Sequence, residues 1–293
     1  MNCSKEAQIA RIVRQALKED IGKEDVTTRL TIPVGKKITA VITAGENGIL
    51  CGIDIARLAF RLIGGNVRFM PAAGDGKRIR RGQILAKIVG PADKILSAER
   101  VALNFLSMLS GISTKTRLFV DRVRPYKAKI MDTRKTLPGL RILEKYAVRT
   151  GGGFNHRLRL DDMVLVKDNH IRIAGLDTRP AGLKGLVQKI NKQIKGRRKI
   201  EVEVGSLFQF KQVVKAPVDI IMFDNMKIAE IRQAVKLRNG LFSRGRSAGP
   251  KLEASGSISL DNVKKYAACG VDFISVGGLT KDVESLDISL DIL

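Results

Sequence analysis

Beyond residue 120 the chain alternates between short runs rich in Val, Ile and Phe and segments whose apolar residues recur at helical spacing. No other feature restricts the fold as much. The β-rich runs are 128–131, 163–166, 200–204, 220–223, 252–254 and 273–276. Helical periodicity marks 181–194, 206–214, 227–238 and 259–269 between them. Such alternation builds parallel βα units, because a parallel strand is reached only by a crossover over the sheet's face. Six strands in one array favour closure into a barrel. An open doubly wound sheet is the other arrangement the pattern permits.

The first third is organised differently. Residues 4–18 read as an amphipathic helix with Ser4 as cap and Ile9, Ile12, Val13 and Leu17 on one face. Short strands follow at 38–42, 67–70 and 84–89, with turns at Gly74-Asp75-Gly76 and Arg81-Gly82-Gln83. A second helix over about 93–110 aligns Ile95, Ala98, Val101, Ala102, Phe105 and Leu106. Arg100 falls off that stripe. The fold class is therefore α/β, with a mixed α/β N-terminal region ahead of the βα array.

Charge narrows the partners. Lys and Arg number 53 against 29 Asp and Glu, a net of +24, which attracts polyanions or phosphorylated metabolites. Aromatic residues are only 4% and Trp is absent, so the stacking platforms of a single-strand binder are missing. The basic clusters at 77–81 and 195–199 read as solvated loops. No uninterrupted apolar run has the length of a bilayer span, and the N-terminus lacks the pattern of a signal peptide. Cys3, Cys51 and Cys269 are odd in number and far apart, as in a reduced, cytoplasmic protein.

In a βα barrel the reacting groups sit beyond the C-terminal ends of the strands. Here those ends carry Asp132-Thr133-Arg134-Lys135, then Lys167-Asp168-Asn169-His170, then Glu201 and Glu203, which share a strand face. Asp224-Asn225 follow, then Glu253 with Ser255-Gly256, and last Gly277-Gly278. Arg134, Lys135, His156, Arg157, Arg159 and Lys167 form a cationic half suited to a multiply anionic substrate. Glu203 and Asp224 suit Mg²⁺, or equally a structural role as counter-charges to the many Lys and Arg. Ser255, Gly256 and the last glycines suit a phosphate. Two histidines with no cysteine nearby do not make a zinc site. Gly151-Gly152-Gly153 is not a phosphate-binding P-loop, because no GxxxxGK[ST] occurs. The set implies an anionic ring or acid, a metal and a phosphorylated partner.

In that order the motifs resemble the quinolinate phosphoribosyltransferase family. The matching segments are 132–141 (DTRKTLPGLR), 151–157 (GGGFNHR), 166–170 (VKDNH), 201–204 (EVEV), 223–225 (FDN) and 253–256 (EASG), with 19–22, 25–28 and 97–100 ahead of them. The resemblance implies an N-terminal α/β sandwich domain over 1–112 and an incomplete, seven-stranded TIM-like barrel over 113–281. It also implies a C-terminal segment, about 282–293, that returns to the first domain. It implies Mg-dependent phosphoribosyl transfer from phosphoribosyl pyrophosphate (PRPP) to quinolinate, with decarboxylation, giving nicotinate mononucleotide, pyrophosphate and CO₂.

Residue by residue, Arg100, Arg134, His156 and Arg157 would bind the two carboxylates of quinolinate. Lys135 and Lys167 would lie between quinolinate and the phosphoribosyl group. Glu203 and Asp224 would hold the ribose hydroxyls and Mg²⁺, and Ser255, Gly256 and Gly277 the 5′-phosphate. Arg100 would act in the neighbouring subunit of a homodimer, or of a higher oligomer of dimers. Three positions depart from the family's pattern: Lys281 near its usual histidine, Gly278 for alanine and Arg159 for glycine. Two rivals stand beside this reading: a sibling transferase for another pyridine acid, and a basic nucleic-acid-binding protein.

Overall fold

The computed structural model describes residues 3–176, 182–243 and 249–293. They divide into two compact units. The chain up to Arg117, together with Thr136–Gly152 and Leu279–Leu293, makes the first; Leu118–Lys135 and Gly153–Gly278 make the second. In chain order the first elements are α1 (Cys3–Ile21), α2 (Val26–Thr31), β1 (Lys37–Ala44), β2 (Gly48–Ile49), α3 (Ile53–Ile63), β3 (Arg68–Pro71), β4 (Arg78–Ile79), β5 (Ile84–Pro91) and α4 (Ala92–Val123). Next come β6 (Lys129–Met131), α5 (Arg141–Thr150), β7 (Val164–Val166), α6 (Asp168–Ile173), α7 (Gly182–Ile194), β8 (Ile200–Val204) and α8 (Leu207–Val213). The last are β9 (Ile220–Asp224), α9 (Ile228–Phe242), β10 (Lys251–Ser255), α10 (Val263–Ala267), β11 (Phe273–Ser275) and β12 (Ile288–Ile292).

The first unit is built on a four-stranded antiparallel sheet of order β12-β1-β5-β3. β1 and β5 run in register from Lys37 opposite Pro91 to Thr43 opposite Ile84, with one irregularity between Ile42 and Thr43. The end of the chain closes the sheet: β12 pairs with β1 from Ile292 opposite Ala40 to Ile288 opposite Ala44. α1 buries Ile9, Val13 and Leu17, the stripe read from sequence, and packs against α3. The side chain of Ser4, its expected cap, lies outside the described residues. Asp25 caps α2 by accepting the Thr28 N–H at 3.0 Å, and it also accepts the Ser97 hydroxyl of α4 at 3.0 Å. α4 runs well past the helix expected over 93–110, because Ile112, Phe119 and Val123 extend its buried stripe. A Cβ at Gly111 would run into the Glu284 carbonyl, so glycine is what lets the returning chain lie against this helix. By length and apolarity α4 could cross a membrane, yet 61% of its most apolar 18-residue window is buried inside the fold, as in a core helix.

The second unit carries a six-stranded parallel sheet of order β6-β11-β10-β9-β8-β7. Strands β7 to β11 are neighbours in sequence order, and the earliest strand, β6, lies beside the latest, β11. A doubly wound sheet would reverse its order partway; this circular order is that of a barrel. The seventh strand implied by the resemblance is reduced to one residue. Phe154 bridges Met131 in parallel, donating its N–H to Ile130 and accepting the Asp132 N–H. The three glycines before it and the charged turn after it give the segment no strand propensity. Among the described residues no strand pairs with the outer edge of β7, so the barrel is incomplete there. Between the strands, α7, α8 and α9 occupy the segments with helical spacing.

Candidate active site

Because the six strands are parallel, their C-terminal ends share one rim, and the residues read from sequence fall on it. Asp132 follows β6 and is fully buried; its Oδ1 accepts the His156 N–H at 2.8 Å. This bond fixes the turn 155–157 beside the end of β6, where Arg134 and Lys135 emerge. The lysine side chain is exposed and runs past Gly277, where a Cβ would stand 3.2 Å from its Cδ. Lys135 and Gly277 are thus brought together from the loops after β6 and β11.

Arg157 is half-buried and donates from Nη1 to the Met163 carbonyl at 3.1 Å. Burial, and then the neighbouring Arg134, hold its guanidinium below the usual arginine value, while Glu201 and Asp162 work the other way. Two arginine charges therefore oppose each other in partly desolvated surroundings, a place that favours an anion with more than one charge.

On the other side of the rim, Lys167 reaches from the end of β7 and donates to Oε2 of Glu203 at 2.6 Å. The Glu203 side chain is only 7% exposed, and the lysine balances its charge. Asp224 ends the adjacent strand β9, in register with Ser255 of β10. Asn225 adopts a left-handed conformation with φ 50°, donates its side-chain amide to Asp224 Oδ1 at 3.1 Å, and donates its backbone N–H to the Ser255 carbonyl at 3.0 Å. Gly256 has φ 96°, and a Cβ there would collide with the Asn225 side chain. One asparagine thus holds the Asp224 carboxylate and the Ser255-Gly256 turn together.

The barrel interior contains a cluster that the sequence reading passed over. His156 is 7% exposed at its side chain, and its Nε2 lies 2.9 Å from Oε2 of Glu201 and 4.0 Å from Oε1 of Glu253. Both carboxyl groups are fully buried. The Ser275 hydroxyl makes a short hydrogen bond to Oε1 of Glu253. Burial, and then the Glu201 carboxylate, push the Glu253 carboxyl up to about 8. The signal for this cluster was present in IEVEV and LEA, where charges interrupt strands that are otherwise buried throughout.

Arg100 is exposed on α4 in the first unit. Lys281 also belongs to the first unit and pairs with Asp282 at 3.0 Å, both side chains being more than half exposed. His170 serves structure, its Nδ1 accepting the Lys167 N–H at 2.9 Å in a capping box at the start of α6.

Comparison with known proteins agrees across the chain. Residues 25–110 match the family profile described as "Quinolinate phosphoribosyl transferase, N-terminal domain", and residues 112–291 match that of its C-terminal domain. The probable nicotinate-nucleotide pyrophosphorylase (carboxylating) of Methanocaldococcus jannaschii is 41% identical over 285 residues, covering 97% of this chain and 96% of its own. The nicotinate-nucleotide pyrophosphorylase (carboxylating) of Mycobacterium leprae is 40% identical over 285 residues, covering 96% and 95%. The solved nicotinate-nucleotide pyrophosphorylase of Francisella tularensis superposes with a TM-score of 0.88 at 37% identity, covering 98% of this chain and 96% of its own. That of Ehrlichia chaffeensis superposes with a TM-score of 0.88 at 38% identity, covering 97% and 98%. With both profiles matched in order and relatives alike from end to end, the chain belongs to the quinolinate phosphoribosyltransferase family.

Proposed function

We propose that the protein transfers the phosphoribosyl group of PRPP to the ring nitrogen of quinolinate and releases CO₂, forming nicotinate mononucleotide and pyrophosphate for de novo NAD synthesis. The observation that carries this choice of substrate is the Arg134–Arg157 pair. Two guanidiniums whose charges oppose each other are relieved by a ligand with two carboxylates, and only partly by one with a single carboxylate. Quinolinate has two and nicotinate has one. Arg134, Arg157 and, from a neighbouring subunit, Arg100 make up the carboxylate-binding set, and His156 belongs to it by anchoring Arg157, since both its ring nitrogens face protein groups.

The pyridine nitrogen uses its lone pair to form the bond to the anomeric carbon as the bond to pyrophosphate breaks, the leaving oxygen keeping that electron pair. Positive charge passes to the ring. The electrons of the adjacent ring carbon–carboxylate bond then collapse onto that carbon, stabilised by the cationic nitrogen, and CO₂ departs. A proton from water or Lys135 fills the position. Lys135 and Lys167 stand between the two substrates, and their charges favour the transition state in which the leaving group becomes negative. Holding both anions in line supplies a further part of the barrier, about 7–11 kcal/mol at best. Ser255, Gly256 and Gly277 cradle the 5′-phosphate.

Glu203 and Asp224 also fit Mg²⁺. They offer hard oxygen donors at the ends of adjacent strands, and two protein carboxylates plus substrate oxygens are a usual magnesium set. Among the described residues no third metal-ligating side chain joins them, so substrate oxygens would complete the shell. When bound, the ion would neutralise charge on the pyrophosphate.

We read the protein as a cytoplasmic homodimer. Cys51 and Cys269 are free thiols, and Arg100 is exposed where a second subunit could use it. A competition between acceptors tests the substrate: with PRPP and Mg²⁺, quinolinate is expected to be consumed and nicotinate to be left. Preference for nicotinate or another mono-acid would move the assignment to a sibling transferase.

A further inference from the structure

Glu201, Glu253 and Ser275 have no part in the chemistry above, and their placement around His156 gives them one. His156 accepts the backbone N–H of Arg157 at Nδ1, 2.8 Å away. A ring nitrogen that accepts cannot carry the proton, so in this arrangement the ring proton lies on Nε2. That nitrogen sits 2.9 Å from Glu201 and 4.0 Å from Glu253. A metal ion among the three, though the ligand atoms lie within 4.8 Å of one another, would have to displace that proton. Of the two carboxyls Glu201 stands nearer the ring, and the Ser275 hydroxyl holds Glu253 in place behind it. Neither oxygen of Glu201 accepts an aligned hydrogen bond, so its 2.9 Å approach to the ring is an electrostatic contact, and the Arg157 guanidinium feels the same carboxylate.

We propose that Glu201, backed by Glu253 and Ser275, is a positioning device: it holds His156 as the Nε2–H tautomer, so that Nδ1 anchors the Arg157 backbone and presents that arginine to the carboxylates of the substrate. Glu201 also supplies a counter-charge to Arg157, which an incoming carboxylate replaces. This inference rests on the reading of Arg157 as a carboxylate-binding residue. It adds Glu201, Glu253 and Ser275 to the residues that determine acceptor binding, without placing them against substrate.

The test has two readouts. In the free full-length protein, ¹⁵N NMR of the two imidazoles, with His170→Asn to assign them, is expected to show His156 as a single Nε2–H tautomer. Glu201→Gln turns it into a mixture of tautomers. The same variant raises the quinolinate KM about tenfold, the loss expected for a charged contact, while kcat and the PRPP KM change much less. Glu253→Gln, which leaves the nearer contact of Glu201 with the ring in place, keeps the single tautomer and covers the case in which Glu201→Gln fails to fold. A wild-type ring protonated at Nδ1, a scrambled ring in Glu253→Gln, or equal losses in both KM values for Glu201→Gln would overturn the proposal. The reading on which it rests fails separately: Arg157→Ala would then leave the quinolinate KM unchanged while the tautomer stays as described.

Discussion

Glu253 shows how much of a site can be hidden in one residue. In sequence it is an acidic residue between apolar neighbours near the end of a strand, which a solvated edge would explain as well. In the fold it is fully buried, with its carboxyl pushed up to about 8 by burial and by Glu201. The folded protein therefore holds a proton that the unfolded chain, with an ordinary Glu value of 4.5, has released. Stability is expected to fall as pH rises from about 4.5 towards about 8, since there the folded state binds more protons. Glu253→Gln should flatten that slope, read from denaturant midpoints at the two ends of the range; unchanged slopes would place the proton elsewhere. Arg134, Lys135, Arg157, Lys167, Glu203 and Asp224 were legible because they cluster at strand ends. Their partners were not, since pairings such as Lys167 with Glu203 join residues far apart in the chain. Lys135, alongside Gly277, is expected to act on the reacting groups. Lys135→Ala should lower turnover by more than it weakens quinolinate binding, measured as kcat against Kd.

Among elements, the six barrel strands emerged from the sequence to within a residue or two, because each is a short apolar run bounded by turn residues. α3 did not: its isoleucines and Phe60 carry β propensity, and burial of one face against α1 overrides it. The Phe154 bridge was also invisible, since a single residue has no periodicity. The loops after β9 and β10 depend on backbone conformations that only the fold displays. Gly256 lies in the left-handed region with Asn225 pressed against its α-carbon. Gly256→Ala is expected to cost about 1–2 kcal/mol of stability. It should also raise the PRPP KM more than the quinolinate KM, because the displaced turn is the phosphate cradle. Equal changes in both would detach the turn from PRPP.

For the whole molecule, the net charge of +24 was the first feature to suggest anionic partners, and it could not say which. The strand-end residues and the family they match supply the choice. What sequence could not give is how subunits share the work. If Arg100 serves a neighbour's barrel, Arg100→Ala and Lys135→Ala proteins, each nearly inactive, should recover activity when dissociated and reassembled together. Random pairing predicts about a quarter of wild-type activity, since half the dimers regain one intact site. No recovery would place Arg100 in its own subunit's site or outside the chemistry.

Purified protein with quinolinate, PRPP and Mg²⁺ puts the proposed reaction to its most direct test, with CO₂ and nicotinate mononucleotide followed together. Equimolar appearance of both, abolished by EDTA and restored by Mg²⁺, is the predicted result. CO₂ without the nucleotide, the nucleotide without CO₂, or neither from folded protein would contradict the reaction, and full activity in EDTA would contradict the metal.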